Sequence, residues 1–467
     1  MRTSRYALDA CEGGRVRYAR VVPFTTAVKP ASPLLMISTT SLLAAAGFWD
    51  RLVDRYATRL AARPYKVRAY RELVASGAMD AMTAAYAGRL MRLSPPARRL
   101  INRSGGRKKT VYLFPPREDL FLKGLNRALQ PIASLHSPLC HSFQPGRGVR
   151  SAYAALKRIA ELNQLSCLHL DVRDYFASIP PDRLLTALPP ALMEDAPLIT
   201  LLRDMLLDPT VVVGREQVID KHKGVMAGTP LAPLLSNLYL RRLDETFESS
   251  GAPYLRYADD FVVFGDPAAI ARQREVIATR LGELLLEVNP NKTRVSSPGG
   301  AFEFLGLRYE QGRIDLAAAT VRKMHHRARR LARRARSHRD PAAYVIRRLN
   351  RKLYGAGGDA SDFTWATWFF PLIGSDVTLR RLDGVIQEQL RFAATGRHEQ
   401  RNRGAMPYSW LVGSGYLPLV TAFRAYRRGP GDYEALLDRR LGGVALQQLR
   451  DRALELGQLP VHLDHLV

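Results

Sequence analysis

The sequence predicts an α+β fold, on three observations. Apolar residues recur at helical spacing towards both ends of the chain, and short apolar runs alternate with helical stretches in its middle. One of those runs, "YLRYADDFVVFG", reads as a hairpin, two apolar arms around a pair of acidic residues that are at home in a turn. With 467 residues, 46% of them hydrophobic, the chain can bury a sizeable core divided among two or three structural units.

The elements follow in order. Residues 1–46 read as an irregular leader, within which Met36 is as good a start as Met1. The apolar stretch from Pro33 to Phe48 is shorter than the roughly 20 residues of a membrane helix and carries Ser and Thr, so no membrane partner is expected. Residues 47–101 read as helical, with arginine-rich faces between the apolar positions of "FWDRLVDRYATRL" and "MTAAYAGRLMRL". Residues 102–310 form the mixed unit. "NRSGGRKK" is a loop, "TVYLFPP" a strand stopped by Pro115 and Pro116, and Leu120 to Leu129 a helix. A Pro-Gly-Arg-Gly turn then precedes a helix from Ser151 to Leu162, Leu168 to Val172 is a strand, and Pro181 to Leu188 and Leu198 to Leu207 are helical. A further helix follows Pro230, ahead of the acidic hairpin. Residues 311–400 and 401–467 are helical again, the first of them strongly basic, and no repeat period is found.

Charge narrows the function. Seventy Lys and Arg against 43 Asp and Glu leave a formal charge of +27, which concentrates polyanions and points to nucleic acid. The run "RKMHHRARRLARRARSHR" puts Met324, Leu331 and several alanines on a narrow apolar stripe and covers the rest with arginine. Arg322, Lys323, Arg327, Arg330 and Arg334 are its candidate phosphate contacts, sequence-independent and salt-sensitive. Cys11, Cys140 and Cys167 have neither zinc spacing nor the density of a disulfide scaffold, which fits a reducing cytoplasm.

The chemistry lies in the carboxylates. "LHLDVRDYF" ends an apolar strand on Asp171, and "YADD" sets Asp259 and Asp260 in the hairpin. If those strands are neighbours the carboxylates converge, and like charges that close need a cation. Magnesium takes few carboxylates plus substrate phosphates, and a pair of such ions stabilises both oxygens of an in-line phosphoryl transfer.

In their order, "DVRDYF", "GTPLAPLLSNLYL" and "YADD" resemble the reverse transcriptases, in particular the bacterial group II intron-like, retron and defence-associated types, over roughly Lys108 to Tyr309. The resemblance implies a right-hand polymerase fold: fingers and palm over 102–310, a basic helical thumb over 311–400 and a helical region over 401–467. It implies an RNA-directed DNA polymerase that adds dNTPs to a 3′-hydroxyl, with two magnesium ions, replaceable by manganese, on Asp171, Asp259 and Asp260. Its partners would be an RNA template or associated noncoding RNA and the DNA product, in a stand-alone bacterial enzyme of the cytoplasm, with a role in anti-phage defence and with oligomers as among its defence relatives.

Residue by residue, the Val172 carbonyl would complete a metal shell. Phe176 would pack under the sugar and exclude a 2′-hydroxyl, Arg147 of "SFQPGRGV" would meet the triphosphate with Arg117 as a second, and Gly228 would lie at the nucleotide. Lys292 of "NPNKTRV" would protonate pyrophosphate, and Phe304, Leu305 and Gly306 of "FEFLGL" would grip the primer. The pattern departs from the family where Pro-Gln-Gly is replaced by Met226, Ala227 and Gly228, and where Ala232 precedes Pro233. Losing the glutamine puts template-faithful copying in question but not phosphoryl transfer, and keeps template-independent or protein-primed DNA synthesis by the same site as an alternative. A second alternative, a non-catalytic RNA-binding protein that retains the fold, is disfavoured by the intact carboxylates.

Overall fold

The computed structural model describes residues 38–59, 64–102, 108–132, 135–355 and 364–441. Most of the leader, the tip of the "NRSGGRKK" loop, Cys11 and residues 442–467 lie outside them. The end of the expected leader is ordered. Thr39–Leu43 is a short helix capped by the Ser38 side chain, with Thr39 and Leu43 buried. Thr39 binds Asp195 through its amide at 3.0 Å and its hydroxyl at 2.6 Å.

Three sheets organise the described residues. The first has the order β2-β1-β4-β5, from β1 (Ala97–Asn102), β2 (Lys108–Leu113), β4 (Thr210–Val213) and β5 (Glu216–Ile219). Its strand β1 corrects the expectation of helix up to residue 101. Pro95 and Pro96 end any helix there, and "ARRLIN" pairs with β2 from Ala97↔Leu113 to Asn102↔Lys108. Strands β4 and β5 are likewise new, a β-branched run turned at Gly214 with φ 68°. Behind this sheet the helices Phe48–Arg59, Pro64–Ala75, Ala78–Ala87 and Pro116–Leu129 share a core through Trp49, Tyr70, Tyr86 and Phe121.

The second sheet carries the site. It has the order β6-β7-β3-β8, from β3 (Ser166–Asp171), β6 (Tyr254–Tyr257), β7 (Asp260–Gly265) and β8 (Arg294–Ser296), all its pairs antiparallel. Alternation divides its side chains between two cores. Leu168, Leu170, Phe261 and Val263 belong to the core shared with the N-terminal helices. Cys167, Val262 and Phe264 belong to a second core shared with the C-terminal half. The helix expected after Pro230 is two, Ala232–Tyr239 and Arg241–Ser250, and the one expected over 151–162 is shorter, Val149–Leu156.

The third sheet, β11-β10-β9, comprises β9 (Phe302–Phe304), β10 (Leu307–Glu310) and β11 (Arg313–Leu316). It leads into the basic helix Ala318–Ala335, which buries Thr320, Met324, Ala328, Ala332 and Ala335 against the helices Pro341–Tyr354 and Val377–Thr395. Small residues on that stripe let the helices approach closely, so the arginines face outward. Leu331 is half-buried at the stripe's edge. No helix among the described residues is long and apolar enough to cross a membrane.

Candidate active site

Strand pairing builds the site. In the β6–β7 hairpin Tyr257 pairs with Asp260, which leaves Ala258 and Asp259 as a two-residue loop. Such loops need a positive φ, and Ala258 supplies it at 59°. On the other side of β7, Asp171 at the end of β3 stands directly opposite Asp260. The Val172 amide donates to the Asp259 carbonyl at 3.3 Å, drawing the turn against the end of β3. Asp171, Asp259 and Asp260 thus lie at one end of the sheet.

Each carboxylate has a different environment. Burial, and then the negative charges of Asp171 and Asp260, push the Asp259 carboxyl up to about 6. Asp171 accepts from Lys292 Nζ at 2.7 Å on Oδ1 and from Asn289 Nδ2 at 3.3 Å on Oδ2. The Asn289 amide also donates to the Asp171 carbonyl at 2.7 Å. Asp260 pairs with His169 Nε2. Burial alone would lower the histidine's pKa, but the hydrogen bond and charge of Asp260 win and raise it.

No three His, Cys, Asp or Glu side chains among the described residues are drawn together as a metal cage. The three aspartates nonetheless fit a hard divalent cation. They offer only oxygen, and the mutual repulsion that raises Asp259 is what such an ion offsets. The Lys292 ammonium on Asp171 already answers part of that repulsion.

Residues 118–309, which contain this whole constellation, match the model of the reverse transcriptase (RNA-dependent DNA polymerase) family. The likeness to that family covers 192 of the chain's 467 residues. Among curated proteins it is 33% identical over 180 residues to retron Mx65 reverse transcriptase of Myxococcus xanthus, a match covering 37% of this chain and 41% of that one. It is 32% identical over 164 residues to an uncharacterized 91 kDa protein in the cob intron of Schizosaccharomyces pombe, covering 33% and 19%. Against protein YkfC of Escherichia coli it is 27% identical over 256 residues, covering 46% and 66%. The chain therefore spans less than two thirds of the length of each of these relatives. Among solved structures, apo telomerase from Candida tropicalis aligns with a TM-score of 0.42 at 12% identity, over 79% of this chain and 70% of that one.

Other residues of the reverse transcriptase domain are distributed unevenly about the aspartates. Val172 is 1% exposed, directly after Asp171. Phe176 is half-buried, edge-on to Tyr175, and the Lys109 ammonium of β2 lies 5.8 Å from its ring centroid. Gly228 has φ 100°, and a Cβ there would lie 3.2 Å from the Tyr112 carbonyl, so the segment runs tight against β2. Its neighbour Met226 is fully buried. Two of the expected triphosphate contacts are engaged elsewhere. Arg147 folds back on its own loop, donating to the Pro138 carbonyl at 2.5 Å and the Cys140 carbonyl at 3.4 Å. Arg117 binds Glu118 at 2.9 Å.

The "FEFLGL" hairpin forms as expected. Leu305 and Gly306 take φ 50° and 80° between β9 and β10. Phe304 is 1% exposed and lies edge-on to His169 at 6.2 Å, which seats this turn beneath the carboxylates. On the basic helix Arg322, Lys323, Arg330 and Arg334 are exposed, while Arg327 is half-buried and its pKa is lowered, by burial first and by Arg330.

Sequence reasoning missed a group behind the hairpin. Arg256, 1% exposed, is inside the sheet's apolar face with Asp244, Asn237 and Ser142. The signal was available as a charge within the apolar run "YLRY", which a folded chain must pair.

Proposed function

We propose that this chain is an RNA-directed DNA polymerase that extends a 3′-hydroxyl with deoxynucleotides. One observation carries the reading: Asp171 opposes Asp260 across β3 and β7 with Asp259 in the adjoining turn, inside a reverse transcriptase domain. Asp171, Asp259 and Asp260 would hold two magnesium ions, or manganese in their place, which supply Lewis-acid stabilisation of the attacking and leaving oxygens.

The protein's own groups do the rest. Phe176, partly exposed under the Lys109 ammonium, offers a ring for the sugar to rest on and no room for a 2′-hydroxyl. The Leu305–Gly306 turn holds the primer end, since Phe304 and His169 tie it to the carboxylate strand. Lys292 is the proton donor for the departing pyrophosphate, 54% exposed at its side chain and so free to exchange Asp171 for a phosphate. Arg322, Lys323, Arg330 and Arg334 grip the backbone of the template–primer duplex. The wider setting we assign is a bacterial cytoplasm, a noncoding RNA as template and a part in anti-phage defence.

The wild type and an Asp259→Ala, Asp260→Ala variant, given magnesium and labelled dNTPs, test this by sequencing copurifying RNA together with any DNA made. DNA from the wild type alone, complementary to that RNA, is the expected result. Products that persist after all RNA is removed replace it with untemplated synthesis, a reading favoured by Ala227, apolar and buried where the family pattern has glutamine. No DNA from either protein leaves a binding role.

A further inference from the structure

Ala258 is held at both of its backbone polar groups by buried side chains. Its amide donates to Ser142 Oγ at 2.8 Å, and its carbonyl accepts from Arg256 Nη1 at 3.1 Å. Arg256 in turn forms a two-pronged pair with Asp244, 2.7 Å from Nε and 2.5 Å from Nη2, and donates to Asn237 Oδ1 at 3.1 Å. Asn237 returns a hydrogen bond from Nδ2 to the Ser142 carbonyl at 2.8 Å. Ser142 and Asp244 are 0% exposed, Arg256 1% and Asn237 5%.

None of this group can reach a substrate. Arg256 pairs in register with Phe261, on the face of the sheet opposite Asp171 and Asp260. Nor is it explained by stability, because removing two charges from water often costs more than their attraction returns, and an apolar pair of similar volume does as well or better. What the group does fix is the peptide on each side of a non-glycine residue at φ 59°, directly before Asp259.

We propose that Ser142, Asn237, Asp244 and Arg256 are positioning residues that set the height of Asp259 against Asp171, and so the affinity of the site for divalent ions. The inference rests on the polymerase reading above. The group draws on the loop before the Val149–Leu156 helix, on both helices after Pro230 and on β6, so the turn is referenced to the body of the palm rather than to its own hairpin.

The test uses two variants of the full chain. Ser142→Ala removes a single hydroxyl. The Asp244→Leu, Arg256→Met double variant removes both charges at nearly constant volume, which keeps the fold while releasing the Ala258 carbonyl. Mn2+ binding is followed by electron paramagnetic resonance, and single-nucleotide incorporation on a primed RNA by quenched flow. Both variants are expected to bind Mn2+ about tenfold more weakly and to lose about tenfold or more in kcat, with KM for dNTP within about twofold, since small misplacements of a reacting geometry carry penalties of that order. A purely structural role predicts instead a changed melting temperature and unchanged Mn2+ affinity in whichever variant folds, and that result overturns the proposal. A wild type that binds no Mn2+ overturns it also. A wild type that binds Mn2+ but makes no DNA sinks the polymerase reading, while the comparison of Mn2+ affinities still decides the positioning role.

Discussion

Replacing Asp259 by asparagine should stabilise the metal-free protein while abolishing synthesis. Burial and two neighbouring carboxylates raise this group from 3.8 to about 6. A raised carboxyl is a penalty on the ionised folded state, absent below the unfolded pKa near 4 and complete once the pH has risen through 6 to about 7. The displacement corresponds to about 3 kcal/mol as an upper bound. Partial exposure of the side chain and the polar bulk of the amide bring the expected gain to about 1–2 kcal/mol, or roughly 1–3 °C in melting temperature for a chain of this size. Thermal melts of wild type and Asp259→Asn in chelator at pH 8 and pH 5 read it directly. The gap should be largest at pH 8 and about half that at pH 5. Added magnesium should narrow it, because the ion stabilises only the wild type. If the variant melts no higher than wild type at pH 8, or if the gap is as large at pH 5, the repulsion argument is wrong.

Gly224→Ala would place a Cβ 2.1 Å from the Phe176 carbonyl and 2.7 Å from Ala177 Cα. Met226 tolerates φ 57° nearby, so the overlap with backbone decides the cost. A loss of about 3 kcal/mol or more is expected in denaturant melts, and an unchanged midpoint contradicts it. Phe176→Ala should raise incorporation of rNTP relative to dNTP by about tenfold or more while DNA synthesis continues. A ratio equal to wild type would assign Phe176 to packing alone. Lys292→Met frees Asp171 of its ammonium, so Mn2+ should bind without nucleotide about threefold tighter while kcat falls, and weaker binding would refute the competition. An Arg330→Ala, Arg334→Ala variant should flatten the slope of log affinity for primed RNA against log salt by about 1–2, whereas an equal slope removes these two residues from the interface.

The second sheet was legible because its signals are local. Strand β3 announces itself by "LHLD", and the hairpin by apolar arms around a turn that tolerates Asp. The hairpin at Leu305 and Gly306 was legible only through the family resemblance of "FEFLGL". The first sheet was not, since "ARRLIN" carries arginines like the helices before it, and only its pairing with a strand beyond the intervening loop makes it extended. The group around Arg256 was hidden by distance. Its partners come from positions 142, 237 and 244, and no spacing rule joins them. Arg147 and Arg117 illustrate the converse, where residue type and motif suggested an outward role but carbonyls and a carboxylate within reach engage both.

Strand β3 is the common wall of the two cores, with Leu168 and Leu170 on one side and Cys167 on the other. A strand held from both faces cannot open until one whole half of the molecule gives way. Its amides should therefore rank among the slowest to exchange with solvent, and the carboxylates at its end are brought together only when both halves have folded. In a nascent chain that delays any active site until the C-terminal helices have been made, so a partial translation product would carry the motifs without the enzyme.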